Sequence, residues 1–192
     1  MNTKPILFST EMVQAILEGR KTQTRRTKGL KVVNDNPDSH LFNSFSIDND
    51  NATFKRLEGM WQGVDVPFKT GDVLWVRESF AKVEFKDQPT LYLYKANPEH
   101  QSMKWKPSIH MPKEACRLFL KVTNVRVERL QDITEMDAIF EGCMQYEKDT
   151  DWMTALYGFE LLWKKINGES SWKSNPWVWV IDFERIEKPE NF

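Results

Sequence analysis

The sequence predicts an α+β fold in a single domain. Three observations predict it: strand-like stretches occur at irregular spacing along the 192 residues, an amphipathic helix follows the first of them, and two more helices are predicted late in the chain. The length and an apolar fraction of 40% are sufficient for one hydrophobic core.

The first 112 residues are predicted to be mostly strands and loops, with one helix. Ser9 or Thr10 can cap that helix by accepting a hydrogen bond from a backbone amide, and Gly19 can end it because glycine adopts a left-handed backbone cheaply. The predicted elements are a strand at Lys4–Phe8, a helix through Glu18, a long polar loop at Asn34–Asn51, a strand at Ala52–Leu57, a turn region at Gly59–Gly71, strands at Val73–Phe80 and Leu91–Tyr94, and an ordered loop at Asn97–Pro112.

The rest of the chain is predicted to contain a long strand, two helices and a closing strand. Apolar residues shift from even to odd positions near Asn124, which predicts a β-bulge. Thr134 and Asp137 have the spacing of a capping box, and Gly142 is placed at the helix end. The predicted elements are strands at Cys116–Leu130 and Trp177–Ile186 and helices at Asp132–Gly142 and Trp152–Ile166.

The basic segment, residues 20–26, carries four cations and two hydroxyls. The formal net charge is only −1, but residues 1–31 hold seven Lys or Arg against two Glu, and residues 132–151 hold seven Asp or Glu against one Lys. The net charge excludes a uniformly basic nucleic-acid coat, and the asymmetry allows a local cationic site on a near-neutral body.

The strand predicted at Val73–Phe80 places Glu78 on the same face as Leu74 and Val76. A carboxylate on an apolar face needs a partner, because burying an unpaired charge costs several kcal/mol, in order-of-magnitude terms. We expect Lys21 or an arginine of the basic segment to be that partner.

Cysteine and histidine usage predicts neither a disulfide nor a metal site. Cys116 and Cys143 lie in separate segments without paired spacing, so we expect both to be reduced and at least partly buried. The three histidines are scattered, so no metal and no cofactor are predicted. The N-terminus has no apolar stretch of signal length, and we expect a cytoplasmic protein with no membrane partner.

Lys21 and Thr24 together allow two chemistries. Thr24 is a nucleophile only if a base removes its proton, and Lys21 becomes that base only if its pKa falls from ~10.4 to ~7, a change worth roughly 4 kcal/mol. Neighbouring arginines favour that change, whereas contact with Glu78 opposes it. Lys21 is therefore either the base for Thr24 or a charged clamp on an oxygen atom.

Gly19, Lys21, Thr24 and Arg26 form the pattern Gly-x-Lys-x-x-Thr-x-Arg, which resembles the first motif of the ASCH domain family. Gly71–Glu78 is similar to the second motif of that family. Two further runs are similar to the longer members common in phage genomes: Trp105–Pro112 and Val122–Ala138.

The resemblance covers most of the chain and implies a fold. The family has a PUA-like mixed β-barrel with a helix after the first strand, and two helices are expected late in this chain. Residues 1–192 would form one such domain, with insertions at about 34–51 and 81–115.

The resemblance also implies a function. Family members are proposed to bind RNA or nucleosides, and some small bacterial ones are amidohydrolases that remove the acetyl group from N4-acetylcytidine. Matched by motif, Thr24 would be the nucleophile, Lys21 its activator and Glu78 the proton carrier or orienting group. The ligand, RNA or a modified nucleoside, is expected against Arg20, Arg25, Arg26, Trp75 and Arg77.

The sequence also allows three alternatives to amide hydrolysis. The chain can be a non-catalytic RNA-binding module, or a metal-independent ribonuclease acting on single-stranded RNA. It can also be a phage protein whose unknown host partner docks on the insertions.

Overall fold

The chain folds into several β-sheets and a few helices, as expected for an α+β protein. The computed structural model describes residues 3–46, 50–97, 99, 103–144, 146–148 and 151–192. The elements of the first half are β1 (Thr3–Leu7), α1 (Thr10–Leu17), β2 (Gln23–Arg26), α2 (Lys31–Asn34), β3 (His40–Phe45), β4 (Asn51–Arg56), β5 (Trp61–Asp65), β6 (Val73–Arg77), β7 (Phe80–Val83) and β8 (Leu91–Tyr94). Those of the second half are β9 (Phe119–Arg129), α3 (Glu135–Phe140), β10 (Tyr146–Lys148), β11 (Asp151–Met153), α4 (Ala155–Asn167), α5 (Glu169–Lys173) and β12 (Trp177–Ile186).

Five strands form the central sheet in the order β1-β6-β9-β12-β2. β1 and β6 are parallel, and the other neighbours are antiparallel. The register of β9 on β12 shifts between Asp182 and Phe183, opposite Asn124 and Val122, which confirms the predicted bulge. Within the described residues β1 and β2 are edge strands that are not paired with each other, so the sheet is open and the expected closed barrel is not observed.

The central sheet is covered on both faces near β12, which explains the apolar run in that strand. Trp179 and Ile181 belong to a core shared with α1 and the separate β3-β4-β5 sheet. Val178 and Val180 face the opposite way, into a second core with α3 and α4. Because both faces of β12 are buried, successive side chains along the strand alternate between large and small apolar residues rather than between apolar and polar ones.

Local end signals behave as the sequence predicts. The Ser9 side chain accepts a hydrogen bond from the Met12 amide at the start of α1, and Gly19 ends that segment with φ +75°. Thr134 and Asp137 form the predicted capping box on α3. These devices fix where each helix begins and ends.

Two segments predicted to be irregular contain strands. The polar loop predicted at Asn34–Asn51 includes β3, because Phe42 packs edge-on against Phe54 with ring centroids 5.7 Å apart. The turn region predicted at Gly59–Gly71 includes β5, which pairs with β4. Contacts distant in sequence therefore override the polar composition. Residues 47–49, and residues 98 and 100–102 of the loop predicted at Asn97–Pro112, lie outside the described residues.

Several predicted elements are shorter than expected, including the strand at Cys116–Leu130 (observed Phe119–Arg129) and the helix at Asp132–Gly142 (observed Glu135–Phe140), and two others show the cause. The strand predicted at Val73–Phe80 stops at Arg77, and the chain resumes at Phe80 as β7 in a different sheet with β8. The helix predicted from Trp152 begins at Ala155 because the Thr154 side chain caps it by accepting from the Tyr157 amide. None of the helices among the described residues is long and apolar enough to cross a bilayer.

Candidate functional site

A cleft of about 400 Å³ lies where the β1–α1 junction, β2, the end of α3 and α4 meet. We call it the arginine cleft. Its polar lining includes Arg25, Arg26 and Glu141, and its apolar lining includes Phe159 and Trp163 of α4. This volume and this mixture of apolar surface with a few polar groups are typical of small-molecule sites.

Lys21 lies beneath this cleft in a fixed position. Its side chain is 0% exposed, and Nζ donates to Glu141 Oε2 at 2.6 Å, to the Glu141 carbonyl at 2.8 Å and to the Gln23 carbonyl at 2.8 Å. An ammonium has three hydrogens, so these three acceptors satisfy it completely. Lys21 is not among the residues that line the cleft, and its contact with the lining is through Glu141.

The protonation of Lys21 depends on two opposing effects. Burial lowers the pKa of Lys21 below its usual value, and the nearby Glu141 carboxylate acts in the opposite direction. The Glu141 carboxylate therefore offsets part of the free-energy cost of burying the charged amine of Lys21.

Glu141 is a cleft-lining carboxylate held between two cations. It is 3% exposed, with Oε2 on Lys21 and Oε1 3.4 Å from Arg25 Nη1. Arg25 is in turn fixed by carboxylates of Glu128 at 3.2 Å and Asp137 at 3.7 Å. A carboxylate supported in this way has one orientation, which is what an acid–base group requires.

Arg26 lies at the partly exposed edge of the cleft. Its Nη2 donates to the Leu7 carbonyl at 3.0 Å, and its guanidinium carbon is 5.1 Å from the centre of the Phe8 ring. Because Leu7 belongs to β1 and Arg26 to β2, this side chain links the two edge strands of the central sheet.

Glu78 is not part of this cluster, so the predicted pairing of Glu78 with Lys21 or an arginine of the basic segment is wrong. Its carboxylate accepts two hydrogen bonds from Arg117, at 2.9 Å and 3.0 Å. The cause is the end of β6 at Arg77, after which Glu78 faces the segment that leads into β9. The expectation that this acid needs a partner is confirmed, since Glu78 is 1% exposed.

Glu78→Gln is expected to lower the free energy of unfolding by about 2–3 kcal/mol. A buried pair that loses one charge usually costs about 3–5 kcal/mol, and Arg117 is 26% exposed, so water compensates in part. Chemical denaturation measures this change, and ligand binding in the cleft should stay the same. Weaker binding without loss of stability would contradict a structural role for Glu78.

Thr24 does not reach the cleft. It is 0% exposed, its Oγ1 has no hydrogen-bond partner, and it is not among the residues that line the cavity. Gln23 and Arg25 occupy the other face of β2, where alternation places them beside the ionic groups. The predicted role of Thr24 as nucleophile is therefore not supported by this arrangement.

Among the predicted ligand-binding residues, only Arg25 and Arg26 line the cleft. Arg20 pairs with Glu18 at the surface, and the guanidinium carbon of Arg77 lies 5.5 Å from the centre of the Trp75 ring. These three are not among the residues that line the cavity, so the structure reduces the predicted cationic surface to two guanidinium groups.

The residue that sequence reasoning missed is Glu141. Two signals point to it: the acidic excess of residues 132–151 mirrors the basic excess of residues 1–31, and a buried lysine needs a carboxylate. The backbone makes the connection, because Lys21 and Glu141 form an isolated β-bridge and the Thr22 amide donates to the Phe140 carbonyl at 2.9 Å.

Gly142→Ala is expected to disturb this junction and to lower the free energy of unfolding by about 2–4 kcal/mol. Gly142 has φ +90°, and a Cβ there would lie 3.0 Å from Ala15 Cβ and 3.2 Å from Lys21 Cβ. Gly59→Ala is the matched control, because Gly59 has φ +94° and open space around it. Thermal denaturation of both variants separates backbone strain from steric contact, and equal losses would contradict the close approach.

The described residues contain no group of three or more His, Cys, Asp or Glu side chains arranged to hold a metal ion. Burial raises the pKa of Cys143, which lies near Lys21 and Glu141, to about 11, so its thiol stays protonated at neutral pH.

Comparison of the chain with protein-family models, with curated proteins and with solved structures finds no match.

Proposed function

We propose that the arginine cleft binds a modified nucleoside and hydrolyses the amide of an N4-acylcytidine-like base. The observation that carries this proposal is Glu141, a carboxylate that lines the cleft and is fixed by Lys21 and Arg25. A carboxylate is the usual acceptor for the exocyclic N4–H of cytosine, and arginine donates to carbonyl oxygens. Phe159 and Trp163 provide apolar surface for a planar ring.

The proposed reaction uses Glu141 as general base and then as general acid. Glu141 takes a proton from a water molecule as the water oxygen attacks the acyl carbon, and the guanidinium of Arg26 stabilises the negative charge on the carbonyl oxygen. The bond between the acyl carbon and N4 then breaks, and Glu141 returns the proton to N4. The products are the free amino base and a carboxylic acid, which then releases its proton to water.

The resemblance to ASCH domains supports the same activity. We propose that the chain is a PUA-like domain of this type in which the central sheet stays open and Arg26 links its edges. Lys21 keeps its motif position, but Glu141 supplies the acid that motif matching assigned to Glu78.

The direct test is incubation of the protein with N4-acetylcytidine and quantification of released cytidine by liquid chromatography. Ile166→Trp should block turnover, because Ile166 lines the cleft and is 56% exposed, so a larger ring can be placed there without disturbing the core. Leu161→Trp on the same helix is the control, since Leu161 is 44% exposed and does not line the cleft. Binding without cytidine release would leave a binding module, and neither binding nor release would end the proposal.

Thr24→Val is expected to leave hydrolysis unchanged and to stabilise the protein by about 1 kcal/mol. The change removes a buried hydroxyl that has no partner while keeping the shape of the side chain. Turnover rate and melting temperature are the measurements, with Thr22→Val at an exposed position as control. Loss of turnover in Thr24→Val alone would restore Thr24 as the nucleophile.

A further inference from the structure

A second pocket, of about 460 Å³, adjoins the arginine cleft at Thr27, which lines both cavities. We call it the serine pocket. It lies between the segment after β2 and the α5 region, and its polar lining consists of Thr27, Lys31, Asn34, Ser170, Ser171 and Ser174.

The two cavities share a wall. Trp163, whose ring lines the arginine cleft, donates from Nε1 to Ser171 Oγ of the serine pocket at 3.1 Å. A ligand whose ring lies against Trp163 therefore has its substituents within reach of the serine pocket.

The serine pocket offers donors that the protein does not use. The hydroxyls of Thr27 and Ser170 make no hydrogen bond to another described residue, whereas the Ser174 hydroxyl donates to the Ser171 carbonyl at 3.0 Å and Asn34 Nδ2 donates to the Trp177 carbonyl at 2.9 Å. Lys31 pairs with Asp35 at 3.1 Å, but the two side chains are 88% and 64% exposed, so water competes strongly for this pair. The ammonium is free to exchange Asp35 for another anion.

No acidic side chain is among the residues that line the serine pocket. Recognition of a ribose diol characteristically uses a carboxylate as acceptor, whereas a phosphate carries only acceptor oxygens and needs donors. One ammonium with the hydroxyls of Thr27 and Ser170 supplies donors for a phosphate, and the lining holds no carboxylate for a diol.

We infer that the serine pocket holds a phosphate attached to the nucleoside in the arginine cleft, so that the ligand is a cytidine nucleotide. This inference rests on the proposed function. The phosphate belongs either to a free nucleotide or to an RNA strand, and the pocket chemistry is the same for both.

Calorimetric titration with cytidine, cytidine 5′-monophosphate and a short cytidine-containing RNA tests the inference. The wild-type protein should bind the monophosphate or the RNA about tenfold more tightly than cytidine, in keeping with one charge-assisted contact. Lys31→Ala/Ser170→Ala should abolish this preference and leave cytidine affinity unchanged. Lys28→Ala is the control, because Lys28 is exposed and lines neither cavity.

The outcomes separate this inference from the proposed function. Tighter binding of the monophosphate indicates a free nucleotide, and tighter binding of RNA alone indicates an internal phosphodiester; both support the inference. Equal affinity for all three ligands overturns it and leaves the nucleoside site intact. If neither nucleoside nor nucleotide binds, the proposed function fails. Titration with ribose 5-phosphate then tests whether the serine pocket binds phosphate on its own. Binding to the wild-type protein that is lost in Lys31→Ala/Ser170→Ala supports a phosphate site, and absence of binding overturns it.

Discussion

Glu141→Gln is expected to lower the free energy of unfolding by about 3–5 kcal/mol, because it leaves a buried ammonium without its counter-charge. The Lys21 side chain is 0% exposed and Nζ lies 2.6 Å from Glu141 Oε2. After the substitution Nζ keeps only neutral acceptors, the carbonyls of Gln23 and of residue 141 and the new amide. Urea denaturation at neutral pH measures the loss.

A double-mutant cycle with Lys21→Met identifies the cause. If the penalty comes from the unpaired charge, Lys21→Met/Glu141→Gln should recover most of the stability that Glu141→Gln loses, with a coupling energy of about 2–3 kcal/mol. Additive effects of the two substitutions would show that the loss arises from packing at residue 141 instead.

The pH dependence of the same variants gives an independent check. Burial lowers the pKa of Lys21, so between that lowered value and the unfolded value of about 10.4 the unfolded chain binds more protons than the folded one. The Lys21 contribution therefore makes stability increase as pH rises through this interval. Glu141 opposes the lowering, so in Glu141→Gln the interval should begin at lower pH, and in Lys21→Met this contribution should be absent.

The parts of the fold that sequence predicts well are those set by short-range chemistry. Thr134 and Asp137 form a capping box from their spacing alone, and the parity change near Asn124 marks the bulge in β9. The strand β3 could not be found in this way. It sits in a polar stretch and is held by Phe42 and Phe45, whose partners come from β4 and β12.

In the candidate site too, features set by short-range chemistry were predicted and contacts distant in sequence were not. Local density of charge located Lys21, Arg25 and Arg26 correctly as residues of one neighbourhood. Whether Glu78 or Glu141 pairs with Lys21 depends on which distant segment of the chain contacts the start of β2. Local sequence patterns do not reveal that contact. Motif matching selected Glu78, whereas the chain topology brings the end of α3 to Lys21.

Glu141→Asp is expected to reduce N4-acetylcytidine hydrolysis about 100-fold while lowering the free energy of unfolding by only about 1–2 kcal/mol, less than Glu141→Gln. The aspartate keeps a negative charge near Lys21 but withdraws the carboxylate by one methylene, and a displacement of that size misplaces a proton-transfer group. The reduction should appear in kcat rather than in KM, because the ring contacts of the cleft are unchanged. Steady-state kinetics and thermal denaturation of the same preparation provide both values.

Glu128→Asp is the matched control for this substitution. Glu128 also contacts Arg25, at 3.2 Å, but it is 25% exposed and does not line the cleft, so its shortening tests the ionic network without moving the carboxylate that lines the cleft. We expect Glu128→Asp to keep hydrolysis within about threefold of wild type, because Glu128 is partly exposed and Arg25 keeps its contacts with Asp137 and Glu141. If both variants lose activity equally, the network as a whole sets the rate. If neither does, Glu141 is a structural partner of Lys21 and the proton carrier lies elsewhere.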